Sequence, residues 1–155
     1  SDMKELSILF VMLGMNPSPQ ETKQLSCMAE AIYFEARSET KIGQLAVGNI
    51  ILNRVNHNEY PDTICDVVRQ GPTHSSGLPI KNKCQFSYYC DGLPERYTDT
   101  KAYADVLDTV TLLHKGVRVE NLQDSLFYHA TYVSPDWSRF KVRINKIGSH
   151  IFYKD

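Results

Sequence analysis

One stretch constrains the fold more than any other. Between Ile42 and Val55, the residues Leu45, Val47, Ile50, Ile51, Leu52 and Val55 recur so closely that a helix there is apolar on most of its sides. A surface helix keeps one apolar stripe and one wet face, so a helix of this kind belongs in the middle of a core. The rest of the chain supplies its surroundings. Leu25, Met28, Ala29, Ile32 and Ala36 fall at i, i+3, i+4, i+7 and i+11 and form one stripe of a second helix. Upstream, Asn16-Pro17-Ser18-Pro19 ends any preceding helix, and Leu6, Leu9, Phe10 and Leu13 predict one packed face of it.

The segment from Asn56 to Pro94 is rich in Gly, Pro, Ser and Asn and reads as loops with one short helix near Thr63 to Gln70. Asp99 can cap another long helix over Thr100 to Lys115, with Tyr103, Val106, Leu107, Val110 and Leu113 inward and Gly116 as its stop. After that the period changes. Leu126 to Val133 and Lys141 to Tyr153 are β-branched and aromatic, which predicts a small antiparallel sheet. The expected class is α+β: mostly helical, with a small antiparallel β element near the C-terminus. We expect one domain over residues 3–155, with Ser1-Asp2 ahead of Met3 reading as a cloning scar.

Charge narrows the partners. With 17 basic and 18 acidic residues the net charge is −1, without the basic excess or stripe that binding to nucleic acid usually requires. The apolar run from Leu6 to Met15 is too short to span a bilayer, and no small-residue cleavage pattern follows it, so neither a membrane span nor a signal peptide is expected. A monomer is the default expectation. Cys27, Cys65, Cys84 and Cys90 allow three disulfide connectivities. Cys84 and Cys90 are near enough for a local bridge, which would leave Cys27 with Cys65. Two bridges would imply an oxidising compartment such as the periplasm. A zinc site competes weakly, because the chain holds neither a C-x-x-C nor an H-x-x-x-H pair. His57, His74, His114, His129 and His150 are scattered without ligand spacing, so no metal or other cofactor is expected. A cysteine nucleophile with His129 as base would need a free thiol, and no local sequence around any Cys supports one.

Glu35 is the residue with the most chemical promise. On a helix it sits beside Met28 at the margin of the apolar stripe, whereas Glu30 points to the opposite, wet side. A carboxylate at the edge of a buried face loses hydration, stays protonated closer to neutral pH, and is suited to general acid catalysis. The plainer reading is a structural glutamate paired with Arg37, Arg54 or a backbone amide. One turn on, Glu39 would have its Cβ about 5–6 Å from that of Glu35 if the helix continued, a spacing open to an acid and nucleophile pair. Ser38-Glu39-Thr40 also reads as a helix junction, where Glu39 would favour the next helix's N-terminus. Asp91 and Glu95 read as loop surface. Phe86, Tyr88, Tyr89, Tyr128, Tyr132 and Trp137, interleaved with Gln85, Ser87 and His129, come from loops or short strands. Aromatic faces with amide and hydroxyl partners suit a sugar chain. Phe86, Tyr103 and Phe152 are instead expected to fill the core.

Several blocks, in order, now match a known pattern. CMAEAIYFEARSETKIGQLAVGNIILNRVNHNEYPDTICDVVRQ, then CQFSYYCDG, then SLFYHATYVSPDW and IGSHIFY resemble the cell wall hydrolase family of the spore cortex-lytic enzyme SleB. The resemblance runs from Leu25 to Tyr153. It implies a lysozyme-like fold related to lytic transglycosylases, and cleavage of peptidoglycan between N-acetylmuramic acid and N-acetylglucosamine at the bacterial cell wall. The family's acid is the first glutamate of EAR, here Glu35. Ser38 departs from the glycine usual before the second glutamate. A helix cap would accommodate that change. Gln85, Ser87, Tyr88, Tyr128 and His129, with Glu39, are the candidates for binding substrate. The expected outcome is a 1,6-anhydro product. Hydrolysis of the same bond is the alternative, and a non-catalytic peptidoglycan-binding or virion protein is the rival from another class. With no leader or wall-binding module evident, a bacteriophage lysin delivered by a holin or in a virion is the expected origin.

Overall fold

Helix α3 (Lys41–Val55) runs through the centre of the protein, as its composition demands: Leu45, Ala46, Val47, Ile50 and Ile51 are buried, and the helices over Pro19–Ala36, Ile64–Val68 and Thr100–His114 and the strand over Val142–Ile147 contact it. The structure is a computed structural model that describes residues 3–155, so the expected scar at Ser1-Asp2 lies outside the described residues. The remaining elements are α1 (Met3–Met12), α2 (Pro19–Ala36), α4 (Ile64–Val68), α5 (Thr100–His114), β1 (Phe127–Ala130), β2 (Val142–Ile147) and β3 (His150–Lys154). Single 3-10 turns occupy Ser87–Cys90 and Asp136–Phe140. The fold is α+β.

The boundaries follow local chemistry. Ser18 and Glu21 form a reciprocal capping box at the start of α2, with Pro19 in the first turn, where its missing N–H costs nothing. Thr40 caps α3 and Asp99 caps α5. The cap at the α2–α3 junction is therefore Thr40, and Ser38 is an exposed turn residue. Gly48 lets α3 and α5 approach, because a Cβ there would collide with Leu113. Polar positions on α3 are also used inward. Buried Gln44 accepts from Thr109 Oγ1 at 2.6 Å and donates to Asp105 at 3.1 Å, locking α3 to α5.

Two expectations about packing are corrected. On α1, Leu6 and Phe10 are buried but Leu9 is exposed, since the helix meets the core along a narrow seam only. Glu30 is half-buried rather than wet, because the loop carrying Tyr88 covers that side of α2 and the Tyr88 hydroxyl donates to Glu30 Oε1 at 3.0 Å.

Both expected cysteine pairings are formed: the long-range Cys27–Cys65 bridge ties α2 to α4, and the local Cys84–Cys90 bridge closes the loop around Ser87–Cys90. The three strands lie antiparallel in the order β1-β3-β2, with Tyr128 opposite Phe152 and Ala130 opposite His150. Among the described residues no helix is long and apolar enough to cross a membrane.

Candidate active site

The end of α2, the loop through Gln85 to Asp91, and β1 with the segment after it enclose an open cleft of about 940 Å³. Glu35 lines it from the last turn of α2, half-buried, where the edge of an amphipathic stripe meets the sheet. The Tyr128 hydroxyl donates to Glu35 Oε1 at 2.5 Å, within the range of a charge-assisted O–H···O⁻ bond. Burial pushes the Glu35 carboxyl above the ordinary carboxylate range. The Tyr128 hydrogen bond and the Arg54 guanidinium pull the other way without overcoming it. Such a group holds its proton closer to neutral pH, as a general acid must.

Arg54 reaches the cleft from α3. It is 6 % exposed, its Nε donates to Leu126 O at 2.9 Å, and its guanidinium lies over the rings of Tyr60 and Phe86 at 5.0 and 5.6 Å. No salt bridge links it to Glu35, although its charge still acts on that carboxyl.

Gln85, Ser87, Tyr88, Tyr128 and His129 all line the cleft, Gln85 and Ser87 with exposed side chains. Tyr88 stacks on Phe34 at 4.9 Å. His129 is internally committed. Its Nδ1 faces Ala130 O at 2.7 Å, so that nitrogen carries the proton, and its Nε2 accepts from the Tyr153 hydroxyl at 2.7 Å. Tyr132 and Trp137 add exposed and half-buried aromatic surface to the same cleft. Phe86 and Phe152 are core residues, as expected, and Tyr103 packs against the core.

Glu39 is elsewhere. Helix α2 ends at Ala36, so the Glu35–Glu39 helical spacing does not exist, and Glu39 is absent from the cleft lining. Its Oε1 accepts from Ser149 N–H at 2.8 Å, fastening the α2–α3 junction to the β2–β3 turn. Asp91 borders the cleft but spends Oδ1 on Leu93 N–H at 2.8 Å. Arg54, Tyr60, Gln70 and His150 line the cleft without having been singled out for it. Arg54 is the one the sequence signals, as a charge in an otherwise apolar helix.

A family model described as Cell Wall Hydrolase matches residues 38–153. The chain belongs to this family. The match begins three residues after Glu35 and so does not include it. The spore cortex-lytic enzyme of Halalkalibacterium halodurans is 30% identical over 141 residues, covering 88% of this chain and 36% of that protein. The Bacillus subtilis spore cortex-lytic enzyme is 28% identical over 138 residues, covering 88% of this chain and 39% of that protein. The chain thus spans well under half the length of these curated relatives. Among solved structures, the catalytic domain of the germination-specific lytic transglycosylase SleB from Bacillus anthracis superposes with a TM-score of 0.61 at 30% identity, over 84% of this chain and 93% of that one. The Bacillus cereus SleB catalytic domain gives a TM-score of 0.56 at 28% identity, over 84% and 89%.

Proposed function

We propose that this cleft cleaves peptidoglycan glycan strands between N-acetylmuramic acid and N-acetylglucosamine, with Glu35 as acid and then base. The observation that carries the reading is a half-buried carboxyl with a raised pKa, lining an open aromatic cleft and held by Tyr128. Likeness to the catalytic domain of a named lytic transglycosylase supports the substrate class.

In this scheme the Glu35 proton passes to the glycosidic oxygen as its bond to C1 of the muramic acid breaks. Charge develops on C1 and its ring oxygen. Glu35, now a carboxylate, is stabilised by the Tyr128 hydroxyl and the nearby Arg54. The 6-hydroxyl of the same muramic acid then attacks C1 and gives its proton back to Glu35. No water is consumed, a 1,6-anhydro end forms, and no second carboxylate is required. Gln85, Ser87, Tyr88 and the exposed aromatic surface are assigned to holding the sugar rings and their acetamido groups.

The test is digestion of purified peptidoglycan by the protein and by Glu35→Gln, with muropeptides read by mass spectrometry. Anhydro ends from the unmodified protein alone are expected. Ends heavier by one water would make the enzyme a hydrolase. Equal cutting by both proteins would remove Glu35 from the role, and wall binding without cutting would make the protein a binding module.

A further inference from the structure

His150 is the buried histidine that the scheme above leaves without work. It is 7 % exposed, begins β3, and lines the same cleft as Glu35. Its ring packs edge-on against Tyr128, the Glu35 partner, with centroids 5.0 Å apart. Its Nδ1 is buried with no hydrogen-bond partner and lies 3.9 Å from Glu39 Oε1. That carboxylate is fixed in place by Ser149 N–H at 2.8 Å, and Gly148 leaves room for it, since a Cβ at this φ +58 position would collide with Glu39 Oε1. The charged and titratable neighbours facing His150 are thus Glu39 from the α2–α3 junction and Tyr128 and His129 from β1. Burial and the nearby His129 hold the imidazole neutral more strongly than Glu39 favours its charged form.

A neutral imidazole must choose which nitrogen keeps the proton. With the proton on Nε2, the buried Nδ1 lone pair would point toward a carboxylate across a medium of low dielectric, which is repulsive. With the proton on Nδ1, the N–H dipole points at Glu39 and the interaction is attractive. The second arrangement leaves Nε2 as an acceptor to which no group among the described residues donates. His129 is the contrast: same cleft, both nitrogens already engaged by the protein.

We propose that His150 is a substrate-contacting residue, set as the Nδ1–H tautomer by Glu39, whose Nε2 accepts a hydrogen bond from a hydroxyl or acetamido N–H of the bound sugar chain. Glu39 is then a positioning residue: it acts through the imidazole, from outside the cleft. The proposal rests on the glycan-cleaving reading of the site, and its test separates the two.

Long-range nitrogen–proton NMR on the whole protein reads the tautomer without any turnover. The Nδ1–H form is expected for His150, and an Nε2–H form overturns the proposal. Glu39→Gln, which keeps an oxygen able to accept from Ser149 N–H, should relax that preference. Soluble glycan strands freed of peptide, added to the Glu35→Gln protein, should shift Nε2 and leave the His129 nitrogens in place.

Turnover supplies the second arm. A Gln amide reaches the place of Nε2 and an Asn amide only that of Nδ1. His150→Gln should therefore keep KM within about threefold, while His150→Asn raises it about five- to tenfold, the worth of one hydrogen bond. Equal KM values in the two variants, both folded by circular dichroism, overturn the proposal while leaving Glu35 untouched. If the unmodified protein does not cut but Nε2 still shifts on adding glycan, the catalytic reading fails and this contact stands.

Discussion

Replacing Tyr128 by Phe removes one oxygen and one hydrogen bond from the centre of the site, which makes its consequence calculable. The hydroxyl donates to Glu35 Oε1 at 2.5 Å and favours the ionised carboxyl, opposing the burial that favours the neutral one. A hydrogen bond to a charged group contributes about 1.5–3 kcal/mol, and each pKa unit corresponds to about 1.4 kcal/mol. Losing the bond should raise the Glu35 pKa further, by about one to two units. Arg54, anchored through Leu126 O rather than Tyr128, still pulls downward. A water entering the vacated space would hold the shift near the lower figure.

If Glu35 is the acid, the alkaline limb of kcat/KM on peptidoglycan moves up in pH by that amount. A carbon NMR titration of the Glu35 carboxyl should move with it. The maximum rate should fall, because the carboxylate formed after proton transfer loses its partner. An alkaline limb that stays in place or moves down would refute both the electrostatic account and the role of Glu35 in setting that limb.

Other outcomes follow from the same geometry. Because burial raises the Glu35 pKa, the fold favours its neutral form: that contribution is complete below the unfolded value near 4.3 and is lost as pH rises through the folded value. Glu35→Gln should therefore raise Tm by a few degrees at neutral pH in scanning calorimetry, with the gain vanishing near pH 4. Removing the Cys27–Cys65 bridge, whose partners are 38 residues apart, should cost about 4 kcal/mol by loop entropy, and Cys84–Cys90, only 6 apart, about 2 kcal/mol, in denaturant titrations of the paired Ala variants. Gly48→Ala should destabilise by about 1–3 kcal/mol, since its methyl meets Leu113 at the tightest point of α3 and α5. An unchanged melting curve for that variant would mean the two helices separate more easily than their packing suggests.

What could be read from the chain was whatever periodicity and caps encode. Helix α3 announced its central place through Leu45 to Ile51, and Asp99 announced the start of α5. Glu35 stands out in the sequence because a stripe has an edge, and the fold places it in the cleft lining. The misplacements share a cause: they depend on what lies across from a residue. Glu30 has a polar helical address, yet a loop more than fifty residues away brings the Tyr88 hydroxyl over it. Leu9 has an apolar address, yet its side chain lies outside the narrow seam that α1 buries and is exposed. Glu39 follows Glu35 by four residues, but α2 stops at Ala36 and its carboxylate turns to a hairpin over a hundred residues downstream. His129 and His150 cannot be ranked by any local signal. Their difference lies in whether the protein has already claimed both ring nitrogens.

A single carboxyl serving as acid and then base imposes a condition that the surroundings of Glu35 meet. Full desolvation would keep the proton on, and the group would donate poorly and recover slowly. Full hydration would leave it ionised and unable to start. Burial sets the upward pull, and Tyr128 with Arg54 sets a downward one that matters most once the proton has left. Both downward partners are fixed by elements remote from α2: Tyr128 by its pairing opposite Phe152 in the sheet, and Arg54 by its bond to the Leu126 carbonyl at the entrance to β1. The stretch from Leu126 to Tyr128 therefore carries both. A substitution that shifts β1 should disturb the alkaline and the turnover behaviour together, whereas one confined to the exposed Gln85 or Ser87 should alter substrate affinity and leave the pH profile where it was.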